Sequence, residues 1–281
     1  MKTRIACLFP LARVVPKEAL ELNASLALKI FQMVKDKDTE IVPCFPEKGV
    51  ISPEEQCYRH LVYRQDMEIY EAMIQIEKDG YDGIMIFCWN DPALFEARQA
   101  LDIPVVGAAQ SSILFAHVMG RKFGLVTLNP TIIPMQVDLV ERYALKERLA
   151  SVKPITIPLD RLFADLFVNS RSAIEDVQKI GRACIADGAE VLLIGCMAMA
   201  MALTLAPGCE KDFPNGLTEV DGVPIVNNLA VMVKAIESMV TLKRAGLPWI
   251  SRKCSFARPA KAVEDKSVAV FARQDRAYFT L

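Results

Sequence analysis

The sequence has few histidines, no close cysteine pair, no long apolar run and almost no net charge. It contains two histidines, His60 and His117, and none of its eight cysteines belongs to a Cys-X-X-Cys pair, so a zinc cluster has little support. No apolar run reaches the ~18 residues that a membrane span needs. The 33 basic and 34 acidic residues nearly balance, whereas a nucleic-acid-binding face is strongly basic. We therefore expect no metal, no membrane and no nucleic acid among the partners.

The composition is that of a folded enzyme-sized protein. The chain has 281 residues, of which 52% are hydrophobic, so a sizeable core is available. Residues 1–11 lack the apolar stretch and cleavage site of a signal peptide and fit a first strand better. A long chain without a secretion signal is expected to be cytoplasmic and reduced. Most of its cysteines should then be small buried hydrophobic residues.

Short β-branched runs alternate with longer helical patterns along the chain. Buried strands are predicted at 83–88 and 191–196 and a further strand at 123–127. A long helix is predicted at 52–78, opened by Ser-Pro-Glu-Glu. A helix is also predicted at 91–101. Such alternation is typical of parallel sheets covered by helices on both faces. In these sheets ligands bind beyond the carboxyl ends of the strands, so residues at strand ends are the first candidates for a site.

A weak internal repeat singles out two cysteines. Residues 80–88 and 187–196 each form a helix end, a turn, an apolar strand and then a cysteine, Cys88 or Cys196. A similar strand and helix follow each of them, which suggests duplication of an α/β unit. If the two halves face each other about a pseudo-twofold axis, the two thiols approach one cleft from opposite sides.

Two opposed thiols could carry out proton chemistry. A cysteine between a strand and a helix lies near backbone N–H groups, which favour the thiolate. One thiolate could remove a proton α to a carbonyl while the opposite thiol returns one to the other face. Either cysteine alone, however, is more often core packing. Packing or capping also competes with function at Asp91, Thr127, His117 and Trp89.

Several segments resemble the aspartate/glutamate/hydantoin racemase superfamily, and most closely its hydantoin racemase branch. Residues 82–94 with 102–107 are similar to that family's first cysteine region, and residues 188–196 to its second. Residues 120–127 resemble the strand that opens its second lobe, and residues 222–226 with 234–247 resemble its closing helix. The match runs in order from Tyr81 to Pro259.

The resemblance implies an α/β fold of two pseudo-symmetric Rossmann-like lobes, with mainly parallel four-stranded sheets and the active site in the cleft between them. Residues 1–117 and 215–281 would form lobe 1, and residues 118–214 lobe 2. It also implies a cofactor-independent isomerase, a homo-oligomer by expectation, in which Cys88 and Cys196 are the acid and base. The substrate-binding residues would be Arg13, Trp89, Asn90, Thr127, Met197, Ala198 and Asn227.

The sequence departs from the hydantoin racemases at four places around the cleft. Phe9-Pro10-Leu11-Ala12-Arg13 replaces an Asn-Pro-Asn-Ser-like turn, and Trp89-Asn90-Asp91 replaces Phe-Gly-Asp. Met197-Ala198-Met199 stands where the family favours Ala-Gly-Met, and Asn227-Asn228 where it favours Asp-Gly. The substrate is therefore either hydantoin-like or carboxylate-bearing, since Arg13 could bind a carboxylate.

The leading hypothesis is a racemase or epimerase that acts on a small amino acid derivative at a carbon α to a carbonyl. Three alternatives stay open. One is a lyase resembling arylmalonate decarboxylase, which keeps one of the two thiols. Another is a cis-trans isomerase resembling maleate isomerase, with covalent thiol addition. The third is a small-ligand-binding homologue without catalysis.

Overall fold

The computed structural model describes residues 2–271 and 278–281. Within them the chain forms an α/β fold with two lobes, as the sequence predicts, each built on a parallel sheet. The strands are β1 (Thr3–Leu8), β2 (Thr39–Pro46), β3 (Gly83–Ile86), β4 (Val105–Gly107), β5 (Phe123–Thr127), β6 (Leu149–Pro154), β7 (Val191–Ile194), β8 (Glu219–Val220), β9 (Val223–Pro224) and β10 (Tyr278–Thr280). The helices are α1 (Lys17–Val34), α2 (Arg59–Lys78), α3 (Leu94–Ala100), α4 (Ala108–Met119), α5 (Ile133–Arg142), α6 (Leu159–Asp165), α7 (Arg171–Ala186), α8 (Met197–Leu205), α9 (Asn228–Arg244) and α10 (Lys261–Phe271).

The first sheet has the strand order β10-β2-β1-β3-β4. The four strands β2, β1, β3 and β4 run parallel, and every residue of β3 is buried, as expected of a strand covered on both faces. Strand β10 adds to β2 in the antiparallel direction. The sheet thus has one strand more than the four predicted, because the end of the chain covers an edge that would otherwise expose unpaired backbone groups.

The second sheet has the order β6-β5-β7, with three parallel strands. Four strands are expected in each lobe, but residues 223–226, which the sequence also predicts as a strand, make only one isolated bridge to this sheet, between Ile225 and Leu192. The first two of these residues instead form β9 of the short hairpin β8–β9 around Asp221-Gly222, which both have positive φ, as a two-residue type I′ turn requires. Pro224 also lacks the N–H that a central strand would donate.

Two predicted helices have different bounds in the structure. The helix predicted at 52–78 is a 3₁₀ turn at Pro53–Cys57, then an extended Tyr58, then α2. The helix predicted at 91–101 begins only at Leu94, since Asp91 and Ala93 adopt positive φ. Both irregular segments lie beside Cys88, so the departures from regular helix fall at the site.

Helix α9 returns the chain to the first sheet. It packs on α1, α4 and β3, and its buried stripe includes Met232, Val233 and Ile236. Asn227 caps it by accepting the N–H of Ala230 through its side-chain oxygen. Helix α9 follows the second cysteine region in sequence. Through its contacts with α4 and β3 it packs against the lobe that carries the first cysteine region.

Candidate active site

A cavity of about 330 Å³ lies where strands of both sheets end. The first sheet contributes Phe9 and Phe87, whose rings stack with centroids 4.2 Å apart. The second sheet contributes Leu128 and Gly195. Because ligands of parallel α/β sheets bind beyond the carboxyl ends of the strands, this cavity is the candidate active site.

Cys196 lies in this cavity wall, two residues beyond the end of β7. It occupies the N-cap position of α8, which begins at Met197. Burial raises the pKa of its thiol from 9.0 to about 11, although the backbone N–H groups of Met199 and Ala198 point at the sulfur and lower it. The two donors favour the thiolate, as expected at a helix start.

Cys88 lies in the same wall, two residues beyond the end of β3. Its Sγ donates to Oε1 of Gln56 at 3.4 Å. Burial raises its pKa well above the ordinary value, and the N–H of Asn90 opposes this while the charges of Asp91 and Asp66 add to it. With one N–H donor instead of two and carboxylates nearby, Cys88 is held more firmly as a neutral thiol than Cys196.

The two thiols interact electrostatically. A negative charge on Cys196 is among the groups that raise the pKa of Cys88. Cys57, a third buried thiol, raises the pKa of Cys196 in the same way. Ionising one of the two cavity thiols therefore disfavours ionising the other, which is the arrangement that one acid and one base need.

The carboxylate of Asp91 accepts hydrogen bonds from α4 and from Tyr143 of the second lobe. The donors are the N–H groups of Ala109 and Gln110 at the start of α4, and the hydroxyl of Tyr143. Burial raises its pKa from 3.8 to about 6, and these three donors lower it. The capping role considered for Asp91 is thus found, on a different helix from the one it precedes.

The cavity wall is largely apolar. Its polar side chains are Asn23, Gln56, Asn90 and the two thiols, and among the residues that the structure describes none that lines it is charged. Apolar side chains from the second lobe complete the wall: Leu128, Ile132, Phe163, Phe167 and Met197. Such a wall favours an uncharged ligand with an apolar part, because a carboxylate would lose its hydration without a cationic partner.

The structure brings together some of the predicted substrate-binding residues and not others. Trp89, Asn90, Met197 and Ala198 line the cavity with the two cysteines. Arg13, Thr127 and Asn227 are absent from its wall. The side chain of Arg13 is 65% exposed and is paired with Glu47, so its charge lies outside.

The other two residues are used elsewhere. Thr127 is fully buried at the end of β5, and its hydroxyl has no hydrogen-bond partner among the described residues. The amide of Asn227 caps α9 and donates to Oγ1 of Thr204. Thr127 is the last residue of its strand and Asn227 follows a strand, but the first side chain is buried and the second is bonded to Ala230 and Thr204.

Several residues that line the cavity are not among the site residues predicted from the sequence. Phe9 and Phe87 could have been found by the strand-end rule, since each directly follows a buried strand. Phe163 lies on α6, a helix that the sequence pattern did not predict. Gln56 falls near the start of the long helix predicted at 52–78, whereas in the structure it lies in a 3₁₀ turn beside Cys88.

The described residues contain no group of three His, Cys, Asp or Glu side chains arranged to hold a metal ion. None of the helices within 2–271 and 278–281 has the length and apolarity to cross a bilayer.

Comparison with known proteins identifies the family. The model of the Asp/Glu/hydantoin racemase family matches residues 29–236. A hydantoin racemase of Pseudomonas sp. (strain NS671) is 33% identical over 206 residues, which cover 73% of this chain and 76% of the relative. The chain belongs to the Asp/Glu/hydantoin racemase family. A second hydantoin racemase, from Rhizobium meliloti, is 29% identical over 166 residues, or 59% of this chain and 63% of that relative.

Solved structures of this racemase family share the fold. An allantoin racemase from Klebsiella pneumoniae superposes with a TM-score of 0.71 at 24% identity, covering 92% of this chain and 95% of its own. An allantoin racemase from Pseudomonas fluorescens gives 0.69 at 22% identity, covering 92% of this chain and 97% of its own. The two-lobed α/β architecture is therefore that of the family. The family match and the similar hydantoin racemase identify the protein as an isomerase of the racemase type.

Proposed function

We propose that the protein racemises a small molecule at a carbon α to a carbonyl, with Cys88 and Cys196 as two opposed acid–base groups and without a cofactor. The observation that carries the proposal is that both thiols line one cavity, each two residues beyond the end of a buried strand in a different sheet. A substrate between them would present one face of its α-carbon to each sulfur.

The surroundings of the two thiols indicate which one removes the proton and which one donates it. Cys196 has the lower pKa of the two thiols because two backbone N–H groups face its sulfur. It is therefore the first to act as thiolate: it takes the α-proton, and the electron pair moves onto the carbonyl oxygen. Cys88, still a thiol, gives its proton to the opposite face and becomes the thiolate. The reverse reaction uses the same groups in exchanged roles.

We propose an uncharged substrate, such as a hydantoin with an apolar substituent at C5. The ring amides would meet the few polar groups, Gln56 and Asn90, while the substituent lies among side chains such as Phe87, Phe163 and Phe167. Hydantoin is named in three relatives. The carboxylate-bearing alternative finds no support in the cavity, since the Arg13 side chain is paired with Glu47 outside it.

Trp89, Met197 and Ala198 are proposed as further substrate contacts from their place in the wall. A homo-oligomer and a cytoplasmic location stay predictions of the sequence. Sedimentation velocity of the purified protein would test the first, with a single species of monomer mass as the contradicting result.

A racemisation assay tests the proposal. One enantiomer of 5-benzylhydantoin is incubated with the protein, and chiral chromatography follows the appearance of the other. The wild type should convert it to a racemate, and Cys88→Ser and Cys196→Ser should each lower the rate at least 10³-fold. Cys254→Ser, at an exposed cysteine, is the matched control and should keep the wild-type rate.

Three outcomes would contradict the proposal. If neither active-site variant changes the rate, the two-thiol mechanism fails. If hydantoin-5-acetic acid is racemised faster than 5-benzylhydantoin, the uncharged substrate class fails. If no racemisation occurs with either compound, the proposal of a racemase acting on these amides fails.

A further inference from the structure

Gln56 is a buried amide in the wall of the active-site cavity. It lies in the 3₁₀ turn Pro53–Cys57, which precedes α2, and it is only 8% exposed. Its side chain lies beside Cys88 and Asn90. No feature of the sequence pattern sets it apart from its neighbours, and only its contacts in the folded protein indicate a role.

The contacts fix the orientation of the Gln56 amide. The side-chain nitrogen Nδ2 of Asn90 lies 3.3 Å from the main-chain oxygen of Gln56, and a carbonyl oxygen can only accept. Asn90 therefore presents its nitrogen on this side. The same nitrogen lies 3.4 Å from Oε1 of Gln56, so the Gln56 oxygen faces Asn90. The thiol of Cys88 also donates to that oxygen.

In this orientation the side-chain nitrogen of Gln56 donates no hydrogen bond to the described residues. This nitrogen, Nε2, is fully buried. Leaving a buried donor unpaired is costly, and each such group in a folded protein calls for an explanation. Since Gln56 lines the cavity, a ligand bound there is one source of the acceptor atom that this nitrogen lacks.

We propose that Gln56 is a substrate-binding residue whose Nε2 donates a hydrogen bond to the carbonyl oxygen next to the reacting carbon. This inference rests on the proposed racemase function. Removal of the α-proton places negative charge on that oxygen, and a donor aimed at it stabilises the charge as it develops. Oε1 of the same amide accepts a hydrogen bond from the thiol of Cys88. One side chain would therefore fix the position of the thiol relative to the carbonyl oxygen of the substrate.

Two substitutions separate donation to substrate from mere positioning of Cys88. Gln56→Leu removes both the oxygen and the nitrogen. Gln56→Glu keeps an oxygen for Cys88 and Asn90 but replaces the donor with a second acceptor when ionised. With 5-benzylhydantoin as probe, both should lower kcat/KM for racemisation by on the order of 10²-fold. Gln75→Leu is the matched control, because Gln75 donates to Asp79 at the end of α2, and it should stay within twofold of wild type.

A pH series adds a signature that a structural role would not give. As the pH falls and the carboxyl of Gln56→Glu gains a proton, its O–H can replace the lost donor. The activity of Gln56→Glu relative to wild type should then rise, while that of Gln56→Leu should not. Circular dichroism of each variant checks that it folds, and the near-isosteric Gln56→Glu keeps the test open if Gln56→Leu does not.

The outcomes distinguish this inference from the proposed function. If Cys88→Ser is inactive while both Gln56 variants keep the wild-type kcat/KM, the function stands and the role of Gln56 is wrong. If Gln56→Glu alone keeps full activity, Gln56 only positions Cys88 and the donor role is overturned. If the wild type does not turn the probe over, calorimetric binding decides. Binding weakened about tenfold by Gln56→Leu supports the donor, and equal or undetectable binding overturns it.

Discussion

The hydroxyl of Tyr143 donates to the carboxylate of Asp91 at 2.6 Å. Asp91 follows Cys88 by three residues in the first lobe, whereas Tyr143 directly follows α5 in the second. The same carboxylate accepts two N–H groups at the start of α4. Gly107 leaves it room, since a Cβ there would lie 2.4 Å from the Asp91 side chain. The turn that carries Cys88 is thus tied to both lobes through one buried carboxylate.

Tyr143→Phe should therefore destabilise the protein by about 1–3 kcal/mol, because it leaves a buried charged acceptor with one partner fewer. It should also raise the pKa of Asp91 further, since the Tyr143 hydroxyl is the strongest of the groups that lower it. Urea denaturation measures the free energy of unfolding. Tyr63→Phe, at an exposed tyrosine of α2, is the control, and equal stability of the two variants would show that the contact between the lobes contributes nothing.

The protein should lose stability as the pH rises above 9. Burial raises the pKa of Cys196 from 9.0 to about 11, so the folded state holds a proton that the unfolded chain releases. The stability linked to this thiol is complete below pH 9 and is lost as the pH rises to 11, by about 1 kcal/mol at pH 10. Urea denaturation at pH 8 and pH 10 should show a smaller loss for Cys196→Ser than for wild type or Cys254→Ser. Equal losses in all three would mean that Cys196 titrates normally in the folded protein.

Phe167→Ala should reduce activity on substrates with a large apolar substituent more than on those with a small one. Phe167 lines the cavity from the second lobe, and loss of apolar contact in a pocket changes specificity by roughly 10–200-fold. The ratio of kcat/KM for 5-benzylhydantoin to that for 5-methylhydantoin should fall about tenfold. Arg13→Ala, outside the cavity wall, should leave this ratio unchanged. An unchanged ratio in Phe167→Ala would place the substituent elsewhere.

The sequence predicted the elements that depend on local pattern. The buried strands β3, β5 and β7 have the apolar runs that parallel sheets favour, and Cys88 and Cys196 follow two of them at equal offsets. The resemblance to the racemase family, carried by the same segments, is confirmed by the family match. Four of the substrate-binding residues that the resemblance implies, Trp89, Asn90, Met197 and Ala198, also line the cavity.

What the sequence did not predict depends on long-range contacts. Pro53 is compatible with a first helical turn, yet the chain makes a 3₁₀ turn there that buries Gln56 and Cys57 beside residues 90 and 129. The single bridge at Ile225 reflects a hairpin that competes for the same backbone groups. Arg13 was expected near a carboxylate of the substrate, but Glu47, 34 residues away, occupies it. None of these pairings has a local signal.

The position of deuterium in the first products tests the two-thiol mechanism most directly. One enantiomer of 5-benzylhydantoin is converted in heavy water, and NMR with chiral separation measures deuterium at C5 in the product and in the remaining substrate at low conversion. A protein-free sample corrects for spontaneous exchange. Two opposed thiols predict a fully deuterated product and almost none in the remaining substrate, because Cys88 and Cys196 act on opposite faces. Deuterium that enters both enantiomers equally from the start would contradict the account, because it would require a single base that serves both faces.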